Sequence, residues 1–249
     1  MKNISNKNAR DKLIFALDAA NLEEALSWLE LLSGHVGMFK VGKELFTAVG
    51  PKIIESIKQR GQKVFLDLKF HDIPNTVARA AEAAVKMDVD MFNVHASGGG
   101  RMIQETVSAA WAYADKLGKA RPMILAVTVL TSLNSADLAE IGFEKSANDL
   151  VLQLAKVAHA AGASGVVASA QDIAALRTSF GDEFIIVTPG IRSSEEIAKD
   201  DQKRTLSAYE AIRASANYIV VGRPIREAKE PLDACRQIVQ DIAAGLAAK

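Results

Sequence analysis

Eight short runs of apolar, often β-branched residues recur along the chain, and a helix-patterned segment follows each. They are Leu13–Asp18, Met38–Gly42, Lys63–Lys69, Met91–Ala96, Met123–Leu130, Gly165–Ser169, Phe184–Pro189 and Tyr218–Gly222. None shows the strict apolar–polar alternation of a strand with one wet face. They read as strands covered on both sides, as parallel strands are. Between them, Leu22, Ala25, Leu26, Leu29 and Leu32 fall on one helix face, and Ile53, Ile54 and Ile57 on another. Asn21 is the predicted N-cap of the first helix, and Gly34 and Gly61 are predicted helix stops. Eight strands alternating with helices over 249 residues is the pattern of an α/β TIM (β/α)8 barrel. A doubly wound open sheet calls for a glycine fingerprint after the first strand, where this chain has LDAANLEEA. No linker, repeat or low-complexity stretch divides the chain. The expected organisation is a loose tail over residues 1–10 and a single barrel over 11–249.

Charge and cysteine usage narrow the partners. Thirty Lys and Arg balance thirty Asp and Glu, which leaves no electrostatic footprint for nucleic acid or an anionic membrane. No run of apolar residues is long enough to span a bilayer, and the polar N-terminus lacks the apolar core of a signal peptide. The single cysteine, Cys235, rules out an intramolecular disulfide and fits a reducing, cytoplasmic setting. It reads as a packed small hydrophobe, with no His near it in sequence to activate it.

Full charges stand in or at the ends of the first three runs. In LDLKFHDIPNTV, Asp67, Lys69 and Asp72 fall within six positions. Residues two apart on a strand share a face, so Asp67 and Lys69 point the same way, about 6.6 Å apart along the backbone. In a barrel that face is the interior, and the C-terminal ends of the strands carry the active site. Asp18 ends the first run and Lys40 lies in the second. Asp18, Lys40, Asp67 and Lys69 can thus form an alternating set of acids and bases, with Asp72 on the adjoining loop. Such a network gains little stability over an apolar core, and interior barrel positions are ordinarily Val, Ile or Leu. Function is the better reason for it.

These residues carry a resemblance. FLDLKFHDIPNTV, Asp18 in ALD, Lys40 in KVGKE, VTVLTS at 127–132, VTPGIR at 187–192 and VVGRP at 220–224 resemble, in order, the motifs of orotidine 5′-phosphate decarboxylase. The Asp-x-Lys-x-x-Asp core is shared with 3-keto-gulonate-phosphate decarboxylase and hexulose-phosphate synthase, which use Mg²⁺ held in part by a carboxylate from the second strand. Here that strand carries Lys40, and an ammonium cannot ligate a hard cation. The expectation is decarboxylation of a nucleotide, orotidine 5′-phosphate, to UMP with no cofactor and no metal.

The resemblance implies roles. Lys69 would protonate C6, with Asp67 and Asp72 keeping it charged. Asp18 and Lys40 would bind ribose hydroxyls, with Lys40 also bracing Asp67. Asp72 and Thr76 would come from the second subunit of a homodimer. Gln202, in a segment that closes over the site, would bridge phosphate and pyrimidine. Thr131 would read the pyrimidine amide edge, although a turn or cap residue would look the same in sequence. The loops after the seventh and eighth barrel strands commonly bind phosphate, which makes Gly222, Arg223 and, as a second arginine, Arg192 the candidates there. His71 and His95 fall near the barrel mouth, but the mechanism needs no imidazole. SGGGR at 97–101 lacks the Gly-Lys-Ser/Thr ending of a phosphate loop.

Overall fold

The computed structural model of the chain describes residues 8–191 and 206–249. Eight parallel strands close into a barrel in chain order. They are β1 (Leu13–Ala16), β2 (Met38–Gly42), β3 (Val64–Phe70), β4 (Met91–His95), β5 (Met123–Val127), β6 (Gly165–Val167), β7 (Ile185–Thr188) and β8 (Tyr218–Val221). Each falls on one of the runs read from sequence, with helices between them on the outside. β1 is shorter than expected because the Asp18 N–H turns back onto the Ala16 carbonyl at 2.9 Å, which ends the ladder. Among the described residues, no helix is long and apolar enough to cross a membrane.

The helix signals hold. The Asn21 side chain accepts from the Glu24 N–H at the start of helix Leu22–Leu32, and Gly34 and Gly61 take the left-handed backbone that ends a helix (φ 80° and 66°). Ala25, Leu29 and Leu32 are buried against the barrel, as are Ile53, Ile54 and Ile57 of helix Lys52–Gln59. Residues 8–10, expected in the loose tail, belong to the fold. Residues 8–11 are helical and Ala9 is fully buried. The Asp11 backbone lies against Gly37, where a Cβ would meet its carbonyl oxygen at 2.5 Å. Packing therefore draws residues 8–10 into the fold, and residues 1–7 lie outside the described residues.

Two apolar cores result. The larger lies between the strands and the helices. The smaller fills the barrel with Ile14, Ala16, Met38, Phe65, Met91, Leu125, Val187 and Val220. Burying a large apolar side chain stabilises by about 1.5–3 kcal/mol, so this plug offsets what the charges above it cost. The period of two that orders the plug continues toward the C-terminal mouth and changes chemistry there. Ile14 and Ala16 lead to Asp18, Met38 leads to Lys40, Phe65 leads to Asp67, and Met91 leads to Asn93.

A cation closes the opposite end. Arg177, on helix Ile173–Phe180, donates to the carbonyls of Ser215 (2.7 Å), Gly181 (2.8 Å) and Phe184 (2.6 Å) and to the Asn217 side chain. Asn217 Oδ1 also accepts from the Ile186 N–H at 2.8 Å. One guanidinium thus ties the entries of β7 and β8 to their helix. Burial pulls the Arg177 pKa below its ordinary value against the opposing pull of Asp182, and burial with the nearby Arg177 charge lowers that of Lys12. Arg177→Ala should leave these carbonyls unpaired and cost about 3 kcal/mol in urea unfolding.

Candidate active site

The site is built where one ladder breaks. β3 pairs with β4 through Phe65–Met91 and Leu66–Phe92, and then next through Phe70–Val94. Three residues of β3, Asp67 to Lys69, therefore face the single Asn93. The surplus is absorbed by a bulge in which Lys69 takes a left-handed backbone, φ 53°. That conformation costs a non-glycine residue about 1–2 kcal/mol. It also takes the Lys69 N–H off the strand ladder, and the Asn93 side-chain oxygen accepts it at 2.8 Å. Simple two-residue alternation, used above to place Asp67 and Lys69 on one face, does not hold through this stretch. The bulge brings their side chains together instead.

Lys69 Nζ lies 2.6 Å from Asp67 Oδ1. Lys40 Nζ lies 3.4 Å from Asp67 Oδ2 and 3.3 Å from Asp18 Oδ1. The four expected residues thus run base, acid, base, acid from β3 across β2 to the end of β1. Asp67 and Lys40 are the enclosed pair, each 12% exposed, whereas Asp18 at 39% stands on the rim. Charges this enclosed persist only when paired. Asp67 Oδ1 receives a second donor, Asn93 Nδ2, at 2.7 Å. Sequence reasoning missed Asn93. Its signal was a fully buried amide inside the otherwise apolar run MFNV.

A cavity of about 180 Å³ opens above these charges. Lys40, Asp67 and Lys69 line one side, and Val127, Val167 and Pro189 from the β5–β7 half line the other. Thr131 is also on its wall. A second hollow of about 190 Å³ adjoins it through Val129, Leu130, Thr131 and Pro189. Gly222 closes the circle beside β1. A Cβ there would come within 3.2 Å of the Ala16 methyl and 3.7 Å of Asp18 Oδ2, so glycine keeps the rim open. Arg223, next in sequence, is exposed at the mouth. Arg226, a residue the sequence reading passed over, reaches back to donate to the Asp18 carbonyl at 2.8 Å and fixes the end of β1.

Two expected members stand apart within the single chain. Asp72 is exposed, and its carboxylate accepts from the following N–H, that of Ile73, at 2.6 Å. Thr76 is exposed on the first turn of helix Pro74–Lys86. Arg192 and Gln202 lie outside the described residues. His71 and His95 pack ring against ring, centroids 5.4 Å apart. Burial holds the His95 pKa below the usual imidazole value, and His71, Lys43 and Lys69 push the same way against the opposing pull of Asp67. His95 is therefore a neutral neighbour of the charges at pH 7. Among the described residues, no three His, Cys, Asp or Glu side chains converge as metal ligands.

Residues 11–238 match the orotidine 5′-phosphate decarboxylase / HUMPS family. The chain belongs to that family. It is 55% identical to the orotidine 5′-phosphate decarboxylase of Syntrophus aciditrophicus over all of this chain and 99% of that one. It is 47% identical to that of Geotalea daltonii over 97% of this chain and the whole of the other. The fold is similar to the crystal structure of orotidine 5′-phosphate decarboxylase from Lactobacillus acidophilus, with TM-score 0.82 and 37% identity over 92% of this chain and 98% of that one. The chain is accordingly an enzyme, a carboxy-lyase.

The lone thiol has no part in the site. Cys235 is fully buried, contacts the His35 carbonyl, and burial pushes its pKa up to about 11. At pH 8 it stays a thiol, so iodoacetamide should leave the folded protein unlabelled by mass spectrometry and label it completely in urea.

Proposed function

We propose that this chain converts orotidine 5′-phosphate to UMP and CO2 in the cytoplasm, as a step of pyrimidine synthesis. It would do so as a homodimer without metal or prosthetic group, with Lys69 as the acid that protonates C6. The observation that carries this reading is the unbroken ion chain Lys69–Asp67–Lys40–Asp18, whose first three members line the cavity. Lys40 stands between two carboxylates and cannot ligate a hard cation, which favours the metal-free member of the family over a Mg²⁺-dependent sugar-phosphate lyase.

The chemistry follows from charge placement. The C6–carboxylate bond breaks, CO2 leaves, and the electron pair stays on C6. That pair lies in the ring plane, where delocalisation into the ring carbonyls is poor. Lys69 supplies the opposite charge beside it and then its proton, and the amine is reprotonated from water. Asp67, bonded to Lys69 at 2.6 Å, aims the ammonium. A single pair contributes about 4 kcal/mol at about 4 Å and an effective dielectric of about 20. Enzymic barrier lowering is roughly 8–23 kcal/mol, so the fixed network and remote binding of the phosphate must act together.

Ribose hydroxyls would meet Asp18 and Lys40 on the rim side, and the pyrimidine would lie against Thr131 and the apolar wall. Phosphate would meet Gly222 and exposed Arg223, with Arg192 and Gln202 assigned by resemblance. Asp72 and Thr76 would act in the neighbouring site. Their exposure, and that of Ile73 at 66%, supports a surface covered by a second subunit.

Mixing protein with orotidine 5′-phosphate should bleach the orotate absorbance, equally with and without EDTA. Lys69→Met should lower kcat by at least about 10³-fold with the fold intact by circular dichroism. Substrate that persists with the wild-type chain, or a methionine variant that turns over normally, ends the reading. Lys69→Ala mixed with Asp72→Ala should recover activity through hybrid dimers, provided subunit exchange is verified by mass spectrometry. Arg223→Ala should lower kcat/KM by at least about 100-fold, and added phosphite should partly restore turnover of a substrate truncated at the phosphate.

A further inference from the structure

Asn93 is fully buried among charges it does not share, and both ends of its amide are used. Its oxygen accepts the Lys69 N–H freed by the bulge, at 2.8 Å. Its nitrogen donates to Asp67 Oδ1 at 2.7 Å, the same oxygen that Lys69 Nζ approaches at 2.6 Å. The opposite amide orientation would set a donor against the N–H and an acceptor against the carboxylate, so the two bonds fix one orientation. Asn93 therefore touches the proton donor through its backbone and the carboxylate that steers it through its side chain.

We propose that Asn93 is the positioning residue for the Lys69–Asp67 pair: its amide holds the bulge that aims the Lys69 ammonium and orients the Asp67 carboxylate to receive it. The inference rests on the decarboxylase reading and extends it to a residue that contacts no reacting atom. It calls for a side chain that offers an acceptor to Lys69 and a donor to Asp67 at once, and an amide does so from one planar group whatever the pH.

Replacement by aspartate separates the two bonds. Asn93→Asp keeps the shape and the acceptor for the Lys69 N–H, and replaces the donor with a carboxyl oxygen beside Asp67. Two carboxylates this close cannot both ionise readily, so the pair retains one proton. While it does, the shared O–H stands in for the amide donor and the net charge of the cluster matches the wild type. Once the proton leaves, the two carboxylates repel and the Asp67 orientation is lost. Among the described residues, Lys69 and Asp67 on β3 bond to this side chain, Lys40 on β2 reaches the same carboxylate, and His95 on β4 interacts with Asp67 and Lys69. They are common to both proteins, so the new proton shows as a difference between the two pH profiles.

The test measures kcat and KM from pH 5.5 to 9 for the wild type, Asn93→Asp and Asn93→Ala, with Tm for each. At pH 8 we expect Asn93→Asp to lose at least about 100-fold in kcat with KM within about threefold, since ground-state contacts are kept. Its kcat should rise as pH falls, through an inflection that the wild type lacks. Asn93→Ala should lose a similar factor at every pH. An Asn93→Asp enzyme with wild-type kcat and profile shape overturns the positioning role and leaves the decarboxylase reading standing. So does an Asn93→Asp chain that does not fold, which would mark the residue as structural. A wild-type chain inert toward orotidine 5′-phosphate overturns both.

Discussion

The site depends on one broken ladder. Parallel strands β3 and β4 pair, lose register for three residues against one, and pair again. A regular strand would hold Asp67 and Lys69 two positions apart on one face, at the spacing the backbone sets. The bulge replaces that spacing with a contact of 2.6 Å. Its cost is a left-handed lysine and a displaced N–H, and the adjoining strand answers both with a single amide. Strain is tolerated here because the surroundings determine it: the apolar plug below, the ion chain to one side and β4 on the other.

From that break the remaining contacts follow as a sequence of pairings. Asp67 is held by Lys69 and Asn93 on one oxygen and faces Lys40 with the other, and Lys40 passes the alternation to Asp18. Asp18 is fixed in turn by Arg226 through its carbonyl. The circle closes at Gly222, which sits against Ala16 and Asp18 because it carries no side chain. Contributions from β1, β2, β3, β4 and the segment after β8 meet only because the barrel closes β8 onto β1.

Much of this was legible in the sequence. Strands covered on both faces give unbroken apolar runs, so all eight could be placed, and Asn21, Gly34 and Gly61 marked helix ends by chemistry local to each. Asp18, Lys40, Asp67 and Lys69 were legible because full charges in runs of that kind need a reason. The bulge was not, since nothing in FLDLKF distinguishes a strand that slips register from one that does not. Asn93 and Arg226 were passed over because their meaning lies in partners distant in sequence, Asp67 and the Asp18 carbonyl. Arg177 was invisible for the same reason, as its carbonyl partners gather only at the closed end of the barrel. Residues 8–10 read as a polar tail because a single alanine, Ala9, is too small a signal of docking.

The cavity has two unlike halves, with ions on the β2–β3 side and Val127, Val167 and Pro189 facing them. A flat molecule with one anionic edge can settle there in a single sense, edge to the ions and plane to the hydrocarbon. On the proposed reading, the ionic half carries the chemistry and the hydrocarbon half selects shape. On that reading, remodelling the hydrocarbon half would retune which ring is admitted while the ionic half stayed as it is.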